Sequence, residues 1–196
     1  MDWLKLASFL IWLYILSVLR RGKLNFWYFM IGSVGMFVFS MVYIQPILTI
    51  PLTKAVTMVS GSIGKGLQMF EGYPEYAILF IKNTNGAISL IVDYECAGII
   101  EMAAFFSLLV FFAVYTPVEK ILVGISGGFY LFFANVLRLV VIGVIVAIFG
   151  NRAYYLAHTI VGRLIFYGLS MLLYYVVFTK AQIIRQKVGS FGYDNE

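Results

Sequence analysis

The chain has one cysteine, one histidine and four prolines among 196 residues, and only 12% of it is charged. A single cysteine excludes an internal disulfide, and no ligand spacing for a zinc or iron–sulfur site exists, so no metal or cofactor is expected. The scarcity of charge excludes a soluble domain. With 62% hydrophobic residues and a mean hydropathy of +0.95, the chain carries more apolar surface than one soluble core could hide. The net charge of +5 lies at the ends of apolar segments and forms no dense patch, which argues against nucleic acid and for orientation signals in a lipid bilayer. There is no repeat of solenoid period, no low-complexity segment and no N-x-S/T sequon.

What is there reads as an all-α polytopic membrane protein in a single domain, residues 1–196, with about five transmembrane helices. Runs of about twenty apolar residues suffice to cross ~30 Å of hydrocarbon at ~1.5 Å each. The expected spans are residues 3–19, 24–44, 96–115, 121–149 and 154–178. "RRGK" at Arg20–Lys23 follows the first run where a signal peptide would have a small-residue cleavage site, so that run is read as retained. Cationic loops prefer the cytoplasm, which puts the N-terminus outside and the basic tail, with Lys180, Arg185 and Lys187, inside. The fourth run is too long for an upright helix, so it must tilt, kink near Gly127-Gly128, or protrude.

Residues 45–95 read as an outer loop, with Pro46 and Pro51 ending the second span. Leu52, Val56, Val59, Ile63, Leu67 and Phe70 recur at helical spacing, as in a helix lying along the interface. "YAILFIK" and "AISLIVD" flank "NTNG", and an Asn-Gly pair between such runs predicts a short β-hairpin with strands near Tyr76–Lys82 and Ala87–Asp93. Its second strand feeds into Glu95 and Cys96, so it is either a guide for an extended substrate or a lid packed on the bundle.

Polar residues inside spans are costly and are therefore functional candidates. Arg138 lies eighteen residues past Lys120, about 27 Å along a helix and near the outer edge of the hydrocarbon. Asn135 shares its helical face. His158 follows Arg152 by six residues, about 9 Å into the last span. Cys96 opens the third span at its outer end, so three helices bring a thiol, a guanidinium and an imidazole to one depth. A cation stabilises a thiolate, an imidazole exchanges protons near neutral pH, and an arginine can hold an oxyanion, a set that fits acyl transfer.

Each residue also has a bland reading. Cysteine is often a small packing residue, arginine can snorkel or neutralise an acid, histidine can cap an interfacial contact, and asparagine can join helices. Glu101 and Arg163 lie five residues past Cys96 and His158 on helices that both run inward, about 7.5 Å deeper, and are expected to neutralise one another.

"ECAG" at a helix end, then "NVLR", then a histidine leading another span resembles the exosortase/archaeosortase family of membrane cysteine transpeptidases, in its Gram-positive subgroup. The resemblance covers Asp93 to Phe178. It implies Cys96 as nucleophile, with Arg138 and His158 completing the site; Asn135, on the face of Arg138, and Glu95, Glu101 and Arg163 are the supporting candidates that position in the sequence adds. It also implies a bacterial plasma membrane with the site facing outward. Its substrates would be secreted proteins ending in a short motif, a transmembrane helix and a basic tail, with an acceptor amine or water completing the reaction.

Two other classes are weighed against it. "GISG" with a later histidine matches a rhomboid-like serine protease, but Ser126 lies only six residues past Lys120, near the opposite end of the bundle from His158. A scaffold or transporter subunit would tolerate Cys96→Ala.

Overall fold

A computed structural model describes residues 2–83 and 86–184. Five helical runs form it: α1 (Asp2–Arg21), α2 (Asn25–Gly66), α3 (Ile99–Phe111), α4 (Pro117–Phe149) and α5 (Asn151–Ile184). Among the described residues, α2, α4 and α5 are long and apolar enough to cross a membrane, and α3 is a shorter apolar helix. The fold is mostly helical, as expected, with a small antiparallel sheet of strands β1 (Phe70–Tyr73), β2 (Ile78–Asn83) and β3 (Gly86–Ile91) in the order β1-β2-β3. The tail residues Arg185 and Lys187 lie outside the described residues.

α1 and α2 make the expected hairpin across "RRGK". The Trp12 indole Nε1 donates to the Ile31 carbonyl at 3.0 Å, and the ring lies on Gly35, where no side chain would fit. The expected break at Pro46 and Pro51 does not occur. A π-helical turn at Ser40–Ile44 leads into Gln45–Gly66, and Pro51 lies inside that helix. Membrane helices tolerate proline where local π adjustments accommodate it. Around Pro51 the threonine hydroxyls bond their own helix, Thr49 Oγ1 donating to the Gln45 carbonyl and Thr53 Oγ1 to the Thr49 carbonyl.

The face that α2 buries is only in part the expected apolar stripe: Val56 is buried and Leu52 and Val59 pack against the core. Thr53, Val56, Thr57, Ser60, Gly61 and Gly64 are buried, whereas Ile63 and Leu67 are exposed. Small residues win because β1 crosses the helix at backbone contact. A Cβ on Gly61 would come within 2.4 Å of the Gly72 Cα. Phe70, read from the sequence as the end of the stripe, belongs instead to β1, and its ring fills the gap between Gly64 of α2 and Gly143 of α4.

β1 was not foreseen, so the hairpin is a three-stranded sheet. Its register pairs Phe70 with Ile81 and Asn83 with Gly86. Gly86, expected in the turn, thus stands in the ladder at φ 135°, and Thr84 and Asn85 lie outside the described residues. Tyr76 ends a 3₁₀ turn before β2, and Asp93 lies beyond β3. One face of the sheet buries Leu79, Ile81, Leu90 and Val92 against Val136, Leu139, Ile142 and Val146 of α4.

α4 is an uninterrupted 33-residue helix. Thr116 and Glu119 form a capping box at its start, Pro117 occupies its first turn, and Gly150 at φ 79° ends it. Gly127 gives no kink; it receives the ring of Phe105. At ~1.5 Å per residue the helix is about 50 Å long, which exceeds a bilayer core and carries its last turns beyond it or along a tilt.

Candidate active site

The third span begins later than expected, and this places the cysteine. α3 starts at Ile99, and residues Tyr94 to Gly98 form turns that fold the chain back after β3. Asp93 makes that reversal. Its carboxylate Oδ1 accepts the Cys96 backbone N–H at 2.9 Å, and its carbonyl accepts that of Ala97 at 2.9 Å. Gly98 follows at φ 76°, a left-handed conformation that glycine adopts freely. An Asp three residues ahead of a cysteine is a turn signal that sequence reasoning passed over.

Cys96 is buried at 5% exposure, and its Sγ lies 3.4 Å from His158 Nε2. The histidine sits in a π-helical turn of α5, Leu156–Val161. Such wide turns occur often at functional sites because the extra residue redirects side chains. Tyr154 stacks on the imidazole with ring centroids 5.6 Å apart and planes 15° from parallel, a second contact the sequence did not suggest.

α4 supplies the other two groups. Asn135 is fully buried, and its Nδ2 donates to the Cys96 carbonyl at 2.6 Å. Arg138, one turn on, is 5% exposed and lies over the Phe166 ring at 5.7 Å. Its Nε has no hydrogen-bond partner among the described residues. It is close enough to act electrostatically on Cys96, His158 and Glu101. The structure therefore brings together the four residues Cys96, Asn135, Arg138 and His158, all named from the sequence.

The supporting residues fare differently. Glu95 is exposed and contacts the Tyr94 hydroxyl. Glu101 has a buried Oε2 without a hydrogen-bond partner, and the cation beside it is Arg138. Arg163 is exposed, and no Glu101–Arg163 ion pair occurs among the described residues. The expected pairing fails because five residues from His158 carry Arg163 around α5 to an exposed face. Ser126 is exposed and donates to the Leu122 carbonyl of its own helix, twelve residues and about 18 Å along α4 from Arg138. The rhomboid-like reading therefore has no dyad.

Burial raises the Cys96 thiol to about 11, while the nearby Arg138 charge pulls it back. The resting group is the neutral thiol, and a proton acceptor must take its proton as it attacks. The imidazole 3.4 Å away is in position for that. Among the described residues no group of acids, histidines and thiols could hold a metal ion. An apolar cavity of about 860 Å³ between α1 and α2, lined by Phe9, Trp12, Met36 and Phe39, contains none of these groups.

The family model described as transmembrane exosortase (Exosortase EpsH) matches residues 1–175. No curated protein and no solved structure matches the chain.

Proposed function

The chain belongs to the transmembrane exosortase family, membrane enzymes that process sorting signals, and from that premise we propose that it is a cysteine transpeptidase with Cys96 as nucleophile. The observation that carries the reading is the 3.4 Å contact between the thiol and His158 Nε2, joined by residues 62 positions apart in the sequence. Its substrates are secreted proteins ending in a short motif, a transmembrane helix and a basic tail. The site faces the outer side of a bacterial plasma membrane, and the enzyme is of the Gram-positive subgroup.

In the first half-reaction Cys96 Sγ attacks the scissile carbonyl carbon as His158 Nε2 takes the thiol proton. The carbonyl oxygen becomes an oxyanion, and the Arg138 guanidinium, whose Nε has no partner among the described residues, holds it. Collapse breaks the C–N bond, and the departing amine, carrying helix and tail, receives the proton from His158. The thioester left on Cys96 is resolved by an acceptor amine in transpeptidation, or by water in hydrolysis. Asn135 fixes the Cys96 carbonyl and so the direction of the thiol.

The test is the intermediate itself. A reporter bearing such a C-terminal signal, taken from a protein encoded beside this one, should leave a hydroxylamine-labile adduct on the enzyme, with the mass of the upstream fragment, mapped to Cys96. An adduct on another residue would overturn the assignment.

A further inference from the structure

β3 is the open edge of the sheet. β1, at the other side, is held against α2 at the Gly61–Gly72 crossing, and β2 is paired on both sides. The Val92 N–H donates to the Ala77 carbonyl at 2.8 Å, which extends the β2–β3 ladder past Ile91. Inward- and outward-facing residues alternate along an antiparallel strand. Leu90, Ile88 and Gly86 therefore face β2, and the main-chain N–H and C=O groups of Ala87, Ser89 and Ile91 face away from the sheet. All three residues are exposed. Beyond Ile91 the Asp93 turn brings the chain back so that Cys96 follows the end of this edge within five residues.

We propose that the edge of β3 binds the extended segment of the sorting signal just upstream of the scissile bond, as a fourth strand. The inference rests on Cys96 being the nucleophile. An extended peptide satisfies an open strand edge through main-chain hydrogen bonds whatever its side chains, and the edge then sets its register. The direction follows from the topology. The downstream part of the signal is a membrane helix, so the upstream part lies over the sheet and runs toward Cys96. β3 also runs toward Cys96, and the added strand is parallel to it. Pairing at Ala87, Ser89 and Ile91 covers about 13 Å of peptide at ~3.3 Å per residue and leaves a few residues to reach the thiol.

The test reads binding at the edge without the natural substrate. Acetyl-Val-Thr-Val-Thr-Val-Thr-Val-Thr chloromethyl ketone, long enough both to pair along the edge and to reach the thiol, alkylates it by forming a C–S bond as chloride leaves and the thiol proton passes to a base. On the full chain in detergent it should modify Cys96 at least about tenfold faster than chloroacetone, the order expected of a few main-chain hydrogen bonds. Of two versions N-methylated at alternate amides, the one methylated toward β3 should lose that lead and the other should keep it. Ser89→Pro removes one outward N–H, which an edge strand tolerates, and should abolish the lead while chloroacetone still reacts at its former rate. A peptide no faster than chloroacetone, or a lead that survives both N-methylations or is lost in both, overturns the edge. Equal alkylation by all reagents still leaves Cys96 as a reactive thiol, so this failure is distinguishable from failure of the nucleophile.

Discussion

The Asn135 side-chain amide donates to the Cys96 carbonyl at 2.6 Å, tying α4 to the turn that carries the thiol. Both residues are buried, and a Cβ at Gly98 would stand 3.4 Å from the Asn135 Cγ. Truncating Asn135 leaves a buried carbonyl without its partner, at a cost of about 1–3 kcal/mol. Asn135→Ala should lower the thermal midpoint and slow Cys96 alkylation, with Asn135→Gln failing to rescue because the longer side chain shifts the amide off the Cys96 carbonyl. Unchanged alkylation kinetics in Asn135→Ala would remove its positioning role.

Arg138 should resist replacement by lysine. The buried guanidinium lies over the Phe166 ring at 5.7 Å and can give two parallel hydrogen bonds to an oxyanion, whereas an ammonium is a point charge. Arg138→Lys should lose processing by about 10²-fold or more, the scale of removing an oxyanion donor. Retained processing would leave the oxyanion role unsupported.

The thiol predicts its own pH dependence. A group raised to about 11 by burial is neutral at pH 7, and only the thiolate alkylates, so the rate with a small reagent should climb with pH without levelling between 7 and 9. Asp93, on the preceding turn, adds to the rise, and Arg138 opposes it. Arg138→Gln should therefore push the thiol higher and slow alkylation at every pH in that window. Faster alkylation in the variant would reverse the sign of this account.

Glu101 and Arg138 should be coupled, and Glu101 and Arg163 should not. Double-mutant cycles of thermal stability should give about 1 kcal/mol or more of interaction for Glu101→Gln with Arg138→Gln, and additivity for Glu101→Gln with Arg163→Gln. The opposite pattern would restore the pairing that spacing alone suggested.

Much of the site was legible because its members are rare. In a chain this apolar, one cysteine, one histidine and an arginine deep in a span stand out, and counting ~1.5 Å per residue brought them to one depth. The same counting failed for Arg163, since depth along a helix does not fix the side on which a residue lies. Asp93 and Tyr154 were missed for a related reason: a turn carboxylate and a stacked ring carry no periodic signal. In the fold, Pro46 and Pro51 looked like breaks because proline usually ends a helix, and no local signal records the π turn that carries the chain on into Gln45–Gly66. β1 is four residues long and held by a glycine-to-glycine contact with α2, which no local propensity records.

The most direct test of the central claim is cleavage of a signal-bearing reporter by Cys96→Ala in membranes containing a folded, correctly inserted protein. The account predicts that the reporter stays uncleaved. Cleavage at the wild-type rate would contradict it.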